Sequence, residues 1–155
     1  MLATTGISRF LDRLIRPLFD KHARATTIVD GADLVHRLNK YVGDGRLKPT
    51  TLFCIFDITD LYTMLPQQES LYVLREFLIE YGYERVNGIS IDTILELANL
   101  VLTENAFVYG EQIFKQIIGG AMGSPFTLTL ANIFMWKWQR PLVRRQEALN
   151  EIFGR

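Results

Sequence analysis

A single cysteine, Cys54, leaves no intramolecular disulfide to form, and its place inside an apolar run makes it read as a core residue of a protein from a reducing compartment. Charge of either sign is not in excess: seventeen basic residues balance seventeen acidic ones, so the chain as a whole lacks the electrostatic footprint of a self-sufficient nucleic-acid binder. No uninterrupted apolar stretch reaches the ~18 residues of a membrane span, and no charged-then-apolar leader opens the chain. A soluble intracellular protein that does not enter membranes is therefore the expectation. No Asp-Asp pair occurs, and no Gly-Lys-Ser or Gly-Lys-Thr follows a glycine turn, which excludes a P-loop. No repeat, linker or low-complexity stretch divides the 155 residues. What is present, 48% hydrophobic residues and 12% aromatics, is enough for the core of one ordinary domain and excludes disorder.

The basic residues that do cluster fall at the two ends. Arg13, Arg16, Lys21, His22 and Arg24 gather near the start, and Arg140, Arg144, Arg145 and Arg155 near the end. Taken alone, each cluster reads as a solvated helix face.

Apolar periodicity lays out the elements. Ile7, Phe10, Leu11, Leu14, Ile15, Leu18 and Phe19 recur at three and four, which predicts an amphipathic helix despite Pro17. Leu34, Val35, Leu38, Tyr41 and Val42 predict a second helix after Asp30-Gly31, closed by Gly43-Asp44-Gly45. Leu52 to Phe56 is a continuous apolar run between Pro49 and Asp57, the pattern of a short strand buried on both faces. Pro66 starts a third helix with Leu71, Leu74, Phe77, Leu78 and Tyr81 on one face and Gly82 as its C-terminal cap. Ser90 caps a fourth, running through Ile94, Leu97 and Leu100 to about Thr103. Ala106 to Tyr109 and Ile113 to Ile118, separated by Gly110-Glu111, predict a hairpin. A long apolar helix carrying Leu128, Leu130, Ile133, Phe134 and Trp138 begins at Ser124-Pro125 and is expected to kink or end near Pro141. This order predicts a single α+β domain or part of one.

Two short blocks carry chemistry. The first is Phe56-Asp57-Ile58-Thr59-Asp60-Leu61-Tyr62. A carboxylate at the end of a buried strand needs a cation or hydrogen-bond donors to offset its desolvation, and a hard divalent ion such as Mg²⁺ is one such partner. Read alone, Asp57 and Asp60 cap the turn into Leu61-Tyr62, a common role for aspartate. The second block is Gly119-Gly120-Ala121-Met122-Gly123-Ser124-Pro125. Its small residues let backbone approach a polyanion closely, and the helix that follows would present free amides to phosphate. Read alone, it is a hairpin-to-helix turn. Asn132, further along that helix, reads as a satisfied buried amide before it reads as a ligand contact.

With both blocks in hand, the chain resembles the reverse transcriptase domain of Penelope-like retroelements, and more loosely the right-handed palm polymerases. Ile7-Ser8-Arg9-Phe10-Leu11-Asp12 with Arg16-Pro17-Leu18 looks like the segment leading into the palm. Phe56 to Thr63 with Pro66 is similar to the first palm motif, and Ala121-Met122-Gly123-Ser124-Pro125 with Leu130-Ala131-Asn132-Ile133-Phe134 to the second. The resemblance spans nearly the whole chain and keeps motif order. It implies a partial right-hand palm with a small antiparallel sheet packed on helices, residual fingers over about 1–50 and palm over about 51–155, ending before an aromatic-x-Asp-Asp motif.

The family's roles carry over by residue. Asp57 would be the catalytic metal-binding carboxylate for Mg²⁺, with the backbone of Ile58 beside it. Ile58 and Thr59 would offer backbone groups to the incoming deoxynucleoside triphosphate, and Tyr62 would stack under the deoxyribose and exclude a 2′-hydroxyl. Gly120, Gly123, Ser124 and Pro125 would contact the RNA template and DNA primer. Gly119 departs from the glutamine found there in many retroviral relatives. In the family, the segment after Ile152-Phe153-Gly154-Arg155 would continue into the aromatic-x-Asp-Asp hairpin, which these 155 residues do not include. The implied function is a fragment of an RNA-directed DNA polymerase, inactive as written because the second carboxylate motif is missing. The alternative is a non-catalytic RNA- or protein-binding remnant using Phe134, Trp136 and Trp138 beside Arg140, Arg144 and Arg145. A small-molecule phosphate site at the glycine turn would need a nearby cation, and Lys115 is the one close in sequence.

Overall fold

The computed structural model describes residues 4–155. The chain is α+β, built as α1 (Thr5–Ala23), α2 (Gly31–Gly43), a single turn α3 (Leu61–Met64), α4 (Gln67–Glu80), β1 (Arg85–Val86), β2 (Ile89–Ser90), α5 (Ile91–Thr103), β3 (Ala106–Tyr109), β4 (Gln112–Lys115) and α6 (Pro125–Ala148).

Four helices make the core. Part of each predicted stripe faces inward: Leu11 and Ile15 of α1, Leu74, Phe77 and Leu78 of α4, Ile94 of α5, and Leu130 and Ile133 of α6 are fully buried, joined by Ala98, Leu102 and Phe126, while Phe10, Leu100, Leu128 and Trp138, expected on the same faces, are exposed. α6 lies between α1 and α4, and α5 packs on α4 and α1. Local signals set the ends. Asp30 accepts the Asp33 amide at the start of α2 and Ser90 accepts the Thr93 amide at the start of α5, each satisfying a donor the helix cannot. Gly82, at φ +77°, ends α4 in the left-handed region. Pro141 does not stop α6, which continues to Ala148.

The sheets are two separate antiparallel hairpins. β3 and β4 pair from Ala106↔Lys115 to Tyr109↔Gln112 around Gly110-Glu111, as predicted, though the second strand stops at Lys115, short of the end of the β-prone run at Ile118. β1 and β2 close through Asn87-Gly88, both at positive φ, a turn signal carried by two residues and independent of apolar periodicity.

Two expectations fail together. Leu52 to Phe56 is not a strand: it forms no backbone hydrogen bonds, and Ile55 is 98% exposed and Leu52 83%. Cys54 is accordingly exposed and not a core residue. The reason is physical. An apolar run becomes a buried strand only when neighbouring strands take its backbone groups and elements cover both faces, and neither hairpin lies in register beside it. The apolar pattern of α2 is likewise mostly unburied; only Tyr41 of that helix is in the interior, while Val35 and Val42 are more than half exposed.

Candidate functional site

Sequence separates the two blocks by about sixty residues, and the fold brings them into contact. Asp60 takes up left-handed backbone, φ 57°, a conformation aspartate tolerates better than most residues, and its carbonyl accepts the Thr63 and Met64 amides. This winds Leu61–Met64 into one turn and sends Leu65 into the core. The glycine block lies directly against that turn. Gly119 donates its amide to the Leu65 carbonyl at 2.9 Å, and Gly120 donates to the Tyr62 carbonyl at 2.9 Å. Gln67 ties the same corner to α5, its side-chain amide donating to the carbonyls of Gly119 at 2.9 Å and Leu102 at 3.2 Å.

These contacts say why glycine stands there. A Cβ on Gly119 would lie 2.6 Å from the Tyr62 carbonyl oxygen and also strike the Thr63 carbonyl, and its φ of +76° already disfavours side chains. A Cβ on Gly120 would lie 2.6 Å from the Thr127 methyl. Both glycines are buried, so Gly120 fits the packing of the turn against α3 and α6. Gly123, at φ +85°, has open space around it and is exposed, as is Met122.

The start of α6 is capped from a distance. Ser124 itself offers no side-chain cap; instead the buried Ser8 hydroxyl of α1 accepts the Phe126 amide at 3.2 Å and shares a 2.7 Å hydrogen bond with the Ser124 hydroxyl. One of the amides expected to face phosphate is thus already engaged. Nothing local signals this, because the partner lies more than a hundred residues upstream.

One cavity of about 990 Å³ is bordered by Asp57, Ile58, Tyr62 and Thr63 of the first block, by Met122 of the second and by the half-buried Asn132, while Gly120, Gly123, Ser124 and Pro125 do not line it. Asp57, Thr59 and Asp60 are exposed, Ile58 is at the edge of exposure, and Tyr62 is half-buried against the core. The expected desolvation of Asp57 does not occur, because the run before it is not a buried strand. Among the described residues, no three His, Cys, Asp or Glu side chains converge as a metal site. Asp57 and Asp60 are the carboxylates of this segment that border the cavity, too few for a protein cage holding two ions. Lys115 is held by Glu104 at 3.2 Å and is not at the glycine turn's service.

The floor of the cavity holds a residue whose role no motif announced. Arg155 pairs through its backbone with Thr26 and Ile28, and its guanidinium lies over the Phe19 ring at 4.7 Å. It reaches the Asn132 carbonyl at 3.5 Å and the Gln139 side chain at 3.4 Å, makes no ion pair among the described residues, and burial pulls its pKa below the usual arginine value. Next to it, Tyr41 donates to Glu151 at 2.6 Å, which raises the phenol's pKa and fixes α2 to the segment after α6.

The aromatic and basic stretch of α6 is largely consumed by the fold. Arg140 forms two hydrogen bonds to Glu80 and lies over Trp136, Lys137 pairs with Glu76, and Trp136 is buried against Phe77. Trp138, 59% exposed, meets the edge of Phe56, while Arg144 and Arg145 remain exposed. No helix among the described residues is long and apolar enough to cross a membrane. No protein-family model, curated protein or solved structure matches this chain.

Proposed function

We propose that the chain is part of the palm of an RNA-directed DNA polymerase, of the kind found in Penelope-like retroelements, in which Asp57 holds a magnesium ion brought by a deoxynucleoside triphosphate. The observation that carries the reading is the direct backbone clamp between the two blocks, Gly119 to Leu65 and Gly120 to Tyr62. A polymerase needs its metal carboxylate and its template-facing turn on one cleft, and the reading is supported by the contact between the two blocks and by one cavity lined by Asp57 and Met122. In this reading Ile58 and Thr59 lie along the triphosphate, Tyr62 beneath the sugar, and Gly123, Ser124 and Pro125 near the templating pair, with Gly120 supporting them from below. Asp57 would hold the magnesium ion, which would neutralise charge on the phosphates.

One carboxylate is not enough for nucleotidyl transfer by two ions, so the 155 residues alone should not extend a primer. Binding is the stage at which the site can be tested. A photoreactive deoxyadenosine triphosphate should label the purified chain in a magnesium-dependent way, within residues 57–63, and labelling should fall about tenfold in Asp57→Asn. Labelling that ignores magnesium, or that maps elsewhere, overturns the assignment. Robust primer extension by the chain would overturn the single-carboxylate account.

A further inference from the structure

We propose that the outward face of α1 is a track for the sugar-phosphate backbone of single-stranded RNA, leading toward the Met122–Ser124 turn. This deepens the polymerase reading by naming the surface that guides its template, and it rests on that reading for where the strand goes. The arrangement begins in the sequence. At about 100° per residue, Arg9, Arg13, Arg16, Asp20 and Arg24 fall on one side of α1, with Phe10 and Lys21 flanking them, opposite the buried stripe of Leu11, Ile15 and Leu18.

Charge on this face is uncompensated. Arg9, Arg13, Lys21 and Arg24 are exposed and make no ion pair among the described residues; Lys40, Lys48, Arg85, Arg144 and Arg145 are likewise exposed and unpaired, but none of them falls in a stripe of four along one helix, and Arg37, Arg46, Arg75, Lys115, Lys137 and Arg140 are paired. Asp12 is neutralised by Arg16 at 2.8 Å and accepts the Thr129 hydroxyl at 2.6 Å, which leaves Asp20 as the one opposing charge of the stripe. A chain with zero net charge thus carries a local basic stripe along a helix. Arg9 and Arg13 lie one helical turn apart, about 6 Å along the axis, and Phe10 between them is 43% exposed, a ring available for a base to stack on.

The track points somewhere. The buried Ser8 is bonded to Ser124 at 2.7 Å, which seats the first turn of α1 against the start of α6; Arg9 follows one residue on, about 100° round the helix toward solvent. The helix is also rigidly seated, with Leu11 and Ile15 fully buried, so the arginines need little ordering of the backbone that bears them.

The test uses the full chain and a fluorescein-labelled oligouridylate of about 20 nucleotides, with anisotropy measured across a salt series. Replacing Arg9, Arg13 and Lys21 together by glutamine should weaken binding and flatten the slope of log K against log salt by about 2, near 0.7 for each phosphate no longer neutralised. Phe10→Ala should weaken binding about tenfold. The single variants Arg9→Gln and Arg13→Gln should each remove about 0.7 of slope, which keeps the test open if the triple variant unfolds. Arg144→Gln with Arg145→Gln on α6 should change nothing. Unchanged affinity in the α1 variants, an equal loss from the α6 pair, or preference for anionic phospholipid vesicles over the oligonucleotide would overturn the track. Asp57→Asn should leave this binding intact, so a failure of nucleotide labelling and a failure of the track are read separately.

Discussion

Gly119 is the residue at which backbone conformation and close packing act together. It combines a left-handed φ of +76° with two carbonyl oxygens of the Tyr62–Thr63 turn lying where a Cβ would go. Gly123, further along the same turn, has a similar φ of +85° and nothing within 4 Å. The pair separates conformational strain from steric clash. Gly123→Ala should cost about 1 kcal/mol, from the left-handed backbone alone. Gly119→Ala should cost more, about 2 kcal/mol or above, because rigid backbone must move as well, and should lower the melting midpoint by at least about 4 °C. Equal losses in the two variants, read by thermal unfolding, would show that the contact with Thr63 is not the constraint described. The same comparison bears on function, since a displaced turn would shift the Asp60–Leu65 segment that follows Asp57.

At the scale of elements, the C-terminal ends of α1 and α4 meet through aromatic packing. The His22 ring stacks on Tyr81 with centroids 3.8 Å apart, meets Phe77 edge-on and hydrogen-bonds the Tyr83 hydroxyl at 3.0 Å. Burial, with a smaller contribution from the neighbouring charge of Lys21, holds its pKa below the usual imidazole value of 6.5. The folded chain therefore binds the proton less readily than the unfolded one. Below about pH 6.5 the unfolded state takes up more protons and stability falls, levelling off once the folded ring is also protonated. His22→Gln removes this contribution, so the gap in melting temperature between the two proteins should narrow on going from about pH 7.5 to about pH 5.5. Parallel curves over that range would refute the sensitivity of this junction.

What the sequence discloses of these elements follows the range over which each is stabilised. α1, α4, α5 and α6 are legible because their 3.6-residue stripes are long, and the caps at Asp30 and Ser90 because the bonded amide lies within the first turn of the same helix. The Asn87-Gly88 hairpin is equally local, but its strands are two residues each, too short for an alternating pattern to show. Leu52 to Phe56 reads as a strand and is not one, because an apolar run specifies a buried strand only through partners that periodicity does not contain. Within the site, the adjacency of the two blocks is an expectation drawn from resemblance. The Ser8 cap and the seating of Arg155 over Phe19 are illegible, since each joins residues more than a hundred positions apart.

Across the whole molecule, burial is uneven. The four-helix core is tight, yet Leu52, Phe53, Ile55 and Phe56 stand exposed on one segment, and Val108, Tyr109 and Ile113 on the hairpin are each at least 70% exposed. Apolar surface left over on this scale, next to a segment whose backbone groups are unpaired, favours association of strands between molecules. The fold's stability and its solubility should therefore respond to different residues. Ile55→Lys removes an apolar side chain that is 98% exposed, so it should shift the unfolding free energy by no more than about 0.5 kcal/mol. The same change places a charge within the apolar run from Leu52 to Phe56 and should raise the concentration at which light scattering first appears. A large loss of stability in this variant would mean that residue 55 is packed, and with it the description of the segment as an unpaired edge would fall.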